Sequence, residues 1–470
     1  MSLGRQLKAL AFILLALSFL IYPTYFLFCY LLESDYATYQ MERAIGRSLG
    51  MHVLINSVQC RGLTLHAASL KGFSADPSRP ALRLYAKPID CKLSFLKLLC
   101  LKFEITECRI GEATWIQPDA EKSKILRSFA ESIQSRQEKM DAETPWSFKI
   151  SILKIEIKKA NLLWEGGTNR AGGVHHTALV ILPSETGGNP DASPTMIHVR
   201  GGELRQEDWP PFQIQDAELH LQDESLEVAR AALSLVDEPL EGKLRLSGRV
   251  GLTSNQPTEL NLEIDKLPFR PFLPDSLQKY ITGRAVGKAK IECPHGLEIE
   301  TLRAHGHLKL DEGKLYALPG LNKLEKWIPT ATYREMQLDR AEADWQWSGG
   351  LLQIQNLQIE SNGKARLSGV MNLQNRRVEG LLNMGLPPKL VDHLPESQRE
   401  VFTQEDSPYR CADIRLSGSI DDLRAGFSAS VQEAVTHAIE EQATEILQKA
   451  KTFFDDFIKR ASEEWQSNPK

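Results

Sequence analysis

The sequence predicts a mainly β protein tethered to a membrane at its start, and three observations carry that expectation. Runs of alternating polarity recur along the chain, with KLRLSGRVGL at 243–252 the clearest. The tetrad RLSG occurs at Arg245–Gly248 and returns at Arg366–Gly369 and Arg415–Gly418. One uncharged run, from Ala9 to Leu32, precedes all of them. In the first alternating run Leu244, Leu246, Val250 and Leu252 take even positions, while Lys243, Arg245, Ser247 and Arg249 take odd ones. A period of two with one polar side describes antiparallel strands with one solvated face.

The chain has 470 residues, of which 42% are hydrophobic and 25% charged, an ordinary folded composition. Its formal net charge of -5 argues against a nucleic-acid partner, because phosphate binding needs a concentrated basic surface.

The run from Ala9 to Leu32 holds 24 residues, enough at about 1.5 Å each to cover a hydrocarbon core of about 30 Å. It is longer than the apolar part of a cleavable signal peptide, and no small-x-small cleavage site precedes Glu33. Pro23 is tolerable within a membrane helix. Arg5 and Lys8 lie before the run, Glu33 and Asp35 after it, so the positive-inside rule leaves a short cytoplasmic tip and puts the bulk of the chain across the membrane. Of seven cysteines, Cys29 falls in the anchor. Cys60, Cys91, Cys100, Cys108, Cys293 and Cys411 would then face an oxidising space, where they could pair or remain thiols.

Five segments follow in order. Residues 1–33 are the cytoplasmic tip and transmembrane anchor. Residues 34–118 begin with a short helix, SDYATYQMERAIGRSLG, capped by Ser34 and closed by Gly50. Strand-like runs follow it: MHVLINSV, LTLHAASL, ALRLYA, CKLSFLKLL and KFEITECRI. Residues 119–144 are charged and helix-prone, with Ile125, Phe129 and Ile133 on one stripe, and read as a helical insertion. Residues 145–427 carry the main alternating set, ELNLEI among them, with helical or turn elements at Pro274–Tyr280, Pro319–Trp327 and Pro388–Phe402. Glycines 248, 369 and 418 suit bends or bulges. Residues 428–470 read as a long amphipathic helix and tail, with Val435, Ile439, Ile446, Phe453 and Phe457 on its stripe.

Motifs for chemistry are sparse. Gly46-Arg47-Ser48-Leu49-Gly50 matches a nucleophile elbow in letters only, since it ends a helix and enters a strand, the reverse of the required order. His305 and His307 can share a strand face beside Cys293 and His295, but no C-x-x-C or H-E-x-x-H supports a metal site. His175 and His176 are adjacent, which on a regular strand sends them to opposite faces. No catalytic residue, cofactor or metal is therefore expected.

The apolar face needs a cover. One arrangement is a sandwich or closed barrel with a dry core; another is a sheet curled into a trough whose lining meets acyl chains. Leu246, Val250, Leu262, Ile264, Ile291, Leu308, Leu310, Leu367 and Leu416 are the lining that alternation predicts. Arg245, Glu263 and Arg366 fall on the opposite face, where charge changes are expected to do little.

The stretch GHLKLDEGKLYALPGLNKLEKW (Gly306–Trp327) has Gly313, Leu315, Leu318, Pro319, Leu321 and Leu324 in a strand-to-turn pattern. With KARLSGVMNL, LPPKLVDHLP and DIRLSGSIDDLRAGF, it resembles the carboxyl-terminal region of the AsmA-like family. Gly369 and Gly418-Ser419-Ile420 match that pattern; the family's usual proline after the last segment is replaced by Asp421-Asp422-Leu423-Arg424. The resemblance implies a protein of the bacterial inner membrane, single-pass, with the bulk of the chain in the periplasm as a long curled antiparallel β-groove. Its implied partner is phospholipid, and its implied role is lipid transport to, and assembly of, the outer membrane. The C-terminal helix is expected to pack along the groove or cap the open end of the sheet; a membrane surface, a partner helix of another envelope protein and self-association are the alternatives. A non-enzymatic scaffold with a dry β core is the alternative.

Overall fold

Alternating polarity yields strands over most of the described chain. The computed structural model describes residues 29–30, 32–49, 51–74, 82–94, 97, 103–117, 150–164, 171–184, 194–207, 209–222, 225–253, 255–272, 278, 281–295, 301–316, 335–374, 377–393, 396–400, 402–419 and 422–427. Residues 9–28 of the apolar run, the insertion at 119–144, the turn at 319–327 and the helix expected over 428–470 lie outside the described residues. Among the described residues no helix is long and apolar enough to cross a membrane. The chain is mainly β and forms two compact units, residues 1–208 and 209–470.

The first unit opens with helix α1 (Asp35–Leu49). The Ala37 amide donates to Ser34 Oγ at 3.2 Å, the N-cap that the sequence predicts. Strands β1 (His52–Arg61), β2 (Thr64–Phe73), β3 (Arg83–Leu93) and β4 (Phe103–Gln117) form an antiparallel meander. The CKLSFLKLL run belongs to β3 only as far as Leu93, and Lys97 is helical. The amides of Ile55 and Cys60 in β1 donate to Glu42 Oε1 at 2.7 Å and Glu33 Oε1 at 2.8 Å. Acidic side chains thus satisfy donors of the first strand that β2 does not.

β4 then pairs in parallel with β5 (Ile150–Ile152) and β6 (Ile155–Trp164), where the sequence predicts antiparallel neighbours throughout. A parallel pair needs a crossover of a dozen or more residues, and the 32 residues of 118–149 supply it. β6 pairs with β7 (Gly172–Leu182), which pairs with β8 (Thr195–Arg200) and β9 (Glu203–Gln206). Val53, Leu84, Ala86, Ala113, Ile157 and Ala160 are buried in this unit's core, together with Leu32 from the end of the apolar run.

The second unit holds β10 (Phe212–Gln222), β11 (Ser225–Leu235), β12 (Lys243–Gly251), β13 (Thr258–Pro268), β14 (Ile281–Cys293) and β15 (Arg303–Tyr316). β16 (Glu335–Gln337), β17 (Arg340–Ser348), β18 (Leu351–Ser361), β19 (Ala365–Gln374) and β20 (Arg377–Leu386) follow. Last come β21 (Gln404–Asp406), β22 (Tyr409–Ser419) and β23 (Asp422–Phe427). Every pair from β10 to β23 is antiparallel. A 3₁₀ turn at Arg270–Phe272 and helices α2 (Pro388–Val391) and α3 (Glu396–Arg399) lie in odd-to-even or later connections that share one end of the sheet.

Bulges bend the strands. The register shifts in β11 between Val228 and Ala231, and in β18 between Ile354 and Leu357, where Asn356 takes φ +50°. Opposite these two bulges stand Gly248 and Gly369, the glycines of two RLSG tetrads, at φ +132° and +151°. A Cβ on Gly248 would strike the Glu259 carbonyl, and one on Gly369 the Leu381 carbonyl. In these two tetrads a bulged neighbour and a close backbone approach each demand glycine.

Replacing Gly248 or Gly369 with alanine is expected to cost about 1–3 kcal/mol each, read from denaturant midpoints. Gly349→Ala, at φ +54° with nothing within 4 Å of its Cβ position, is the control and should cost about 1 kcal/mol.

Candidate functional site

The register of the second unit aligns apolar residues into rows that cross the strands. One row runs Ala217, Ala231, Leu246, Leu262, Ala289, Gly306, Trp345, Ile354, Met371, Gly380, Leu416. Beside it runs Leu219, Val228, Gly248, Leu260, Ile291, Ala304, Trp347, Leu352, Leu373, Val378, Gly418. Each row crosses eleven strands without a polar residue, a span of about 50 Å at ~4.8 Å per strand.

Of the nine residues named from alternation, Leu246, Leu262, Leu416 and Ile291 fall in these two rows, and the other five stand against apolar or glycine partners beside them. Ile264 and Leu308 flank Gly287 in the row that runs Ile214, Leu233, Leu244, Ile264. Leu310 stands opposite Ala285, and Leu367 between Ile359 and Met384. Val250 faces Leu226. The side chains of Leu246, Val250, Leu262, Ile264, Ile291, Leu308, Leu310 and Leu367 are all partly buried, and Leu416 is placed by its register position. Trp345 and Trp347 belong to the same face, also partly buried; their spacing in WQW carries the same signal.

Burial along this face is graded. At the end of the sheet that carries the short helical connections, Phe212, Leu235, Leu267, Met336, Leu386 and Val391 are buried. Toward the opposite end Val250, Leu260, Ile291, Trp347 and Leu373 are only partly covered, and Leu252 is exposed. Small residues on the face are buried too: Ala285 between Leu267 and Leu310, and Ala304 between Ile291 and Trp347. No helix longer than four residues is present among the described residues of this unit to lie over the face.

The other face is polar and laced by ion pairs. Arg245 meets Glu263 at 3.3 Å and Asp265 at 3.4 Å, Lys288 meets Glu263 at 3.6 Å, and His307 Nδ1 meets Asp344 Oδ1 at 2.7 Å. Hydrogen bonds from Asn356 and then His307 hold the Asp344 carboxyl below its ordinary range. Exposed pairs of this kind contribute about 0–1 kcal/mol each. Among the described residues Val370 and Leu381, directly opposed, are the exposed apolar pair on this side.

Arg366 departs from the expectation that it resembles Arg245. It is ion-paired to Asp406, lies 3.4 Å from Cys411 Sγ, and sits under the Tyr409 ring, with its guanidinium carbon 5.2 Å from the centroid. Gly385, between Arg366 and Cys411 in register, leaves the room that Tyr409 fills. Tyr409 is buried and its hydroxyl donates to Glu360 Oε1 at 2.9 Å. Burial, and then the Glu360 carboxylate, push the phenol up.

Other candidate residues do not converge. Among the described residues no group of three or more His, Cys, Asp or Glu could hold a metal. His305 and His307 are exposed on the polar face, whereas Cys293 is buried beside Thr301 Oγ1 at 3.3 Å. A bulge at His175–His176 breaks alternation: His176 takes φ +55° and the two rings lie 6.4 Å apart. Ser48 lies in the last turn of α1 ahead of β1, the helix-to-strand order that a nucleophile elbow lacks. Two thiol pairs do come together: Cys91 with Cys108 at 2.9 Å and Cys29 with Cys60 at 3.1 Å. Burial and then Cys29 push the Cys60 thiol up to about 12; the Cys108 sulfur and then burial push the Cys91 thiol up as well.

Comparison with known protein families, curated proteins and solved structures finds no match to this chain.

Arg366→Glu should lower stability by about 1–3 kcal/mol, because it leaves Asp406 and the Tyr409 pocket without their cation. Arg245→Glu should change it by less than about 1 kcal/mol. Denaturant midpoints of the two variants provide the comparison.

Proposed function

We propose that the second unit is a lipid-holding β-groove, and that the protein is a single-pass, inner-membrane-anchored periplasmic component of the bacterial envelope. In this reading its apolar face receives phospholipid acyl chains on their way to the outer membrane. The observation that carries it is the pair of uninterrupted apolar rows, with large side chains left partly open to solvent. A sheet face of that kind is a binding surface until something apolar covers it. Acyl chains suit it because they are apolar and need no hydrogen-bonding partner from the wall. The resemblance of 280–427 to the AsmA-like family supplies the envelope and the lipid; alternation supplies only the one-faced sheet.

The anchor follows from the uncharged run at 9–32. Since Leu32 is packed in the core of the first unit, residues 9–28 would be left for the bilayer. Twenty residues at about 1.5 Å each still reach about 30 Å. The dry-scaffold reading draws on the first unit, where Val53 and Ala113 are fully buried.

Native mass spectrometry of the chain from Cys29 onward should show bound phospholipid. Leu246→Asp with Leu262→Asp and Leu308→Asp should abolish it while Arg245→Asp leaves it in place. A lipid-free particle from the unaltered chain would instead favour the scaffold. For topology, a reporter enzyme active only outside the cytoplasm, fused after Lys470, should be active, and a silent reporter would reverse the assigned orientation.

A further inference from the structure

Contacts between separate segments bring four of the seven cysteines into two pairs. Cys91 in β3 and Cys108 in β4 occupy directly opposed positions, with Asp90 facing Arg109 on one side and Lys92 facing Glu107 on the other. Lys92 Nζ lies 3.0 Å from Glu107 Oε2, a further tie across the same two strands beside the thiols. Cys29 is helical, just ahead of the turn that precedes α1, and its sulfur reaches Cys60 in β1. That turn is tied to the strand through Glu33. The Glu33 amide donates to the Cys29 carbonyl at 3.0 Å, and Glu33 Oε1 accepts from the Cys60 amide at 2.8 Å. Cys293 and Cys411 have other neighbours: the Thr301 hydroxyl for the first, the Arg366 guanidinium for the second.

We infer that Cys29–Cys60 and Cys91–Cys108 are paired for oxidation to two disulfides, while Cys293 and Cys411 remain thiols. Each sulfur pair has to close by about 1 Å to reach covalent length, a side-chain adjustment between residues that already face each other. Two sulfurs with no third ligand make a poor metal site, and no larger cluster exists among the described residues.

The oxidant is a disulfide-bearing thiol compound or oxidoreductase. One cysteine loses its proton to solvent and its thiolate attacks a sulfur of the oxidant's disulfide, expelling one oxidant thiolate. The second cysteine, likewise deprotonated, attacks the mixed disulfide and expels the other. The protein gives up two protons and two electrons per bond, and the oxidant's disulfide becomes two thiols. The raised Cys60 and Cys91 thiols make uncatalysed exchange slow near neutral pH, so mildly alkaline conditions favour the reaction. The bonds would join the end of the apolar run to β1 and β3 to β4.

The test uses the full-length chain in detergent, treated with oxidised glutathione at mildly alkaline pH, denatured, alkylated and mapped by mass spectrometry without reduction. It does not depend on where the protein resides, so its failure leaves the envelope reading standing. Expected are three alkylated thiols, at Cys100, Cys293 and Cys411, against seven after reduction, with Cys29–Cys60 and Cys91–Cys108 linked peptides. Seven alkylated thiols, lasting glutathione adducts on Cys60 or Cys91, or links through Cys100, Cys293 or Cys411 would overturn the assignment.

Discussion

Everything in the second unit depends on register. Side chains on a strand alternate, so a slip of one residue would exchange Leu246 for Arg245 and turn the apolar rows outward. The pairing Leu246–Leu262–Ala289 is held from the other side of the sheet by charge complementarity, Arg245 against Glu263 and Lys288 against Glu263. Each of those ion pairs is weak by itself. Their value is that a slipped strand would bring apolar and charged groups face to face along its whole length.

The bulges work within the same constraint. An extra residue in β11 or β18 would by itself reverse the parity of everything beyond it. Each insertion leaves its extra residue unpaired instead, and alternation resumes with Ala231 and Leu233, or with Leu357 and Ile359, on the original face. Bending is thereby obtained without loss of the apolar rows, and glycine at 248 and 369 lets the neighbouring strand follow.

Much of this was legible in the sequence where strands are regular. KLRLSGRVGL and ELNLEI pair with each other face for face as their alternation predicts. Legibility fails where bulges interrupt the period, as in LLQIQNLQIE, whose apolar residues change parity between Ile354 and Leu357. It fails for Arg366 because the letters RLSG are the same as at Arg245, whereas the hairpin of β21 and β22 brings Asp406, Tyr409 and Cys411 to only one of them. The parallel pairing of β4 with β6 and the two thiol pairs rest on contacts between distant segments, which no local pattern encodes.

The first strand shows a different economy of design. Glu33 and Glu42 accept hydrogen bonds from β1 amides, so carboxylates stand where a neighbouring strand would have to bring its carbonyls. An incoming strand would need to displace two anions and bury what remains of their charge. β1 is therefore a poor template for edge-to-edge addition by a strand of another chain.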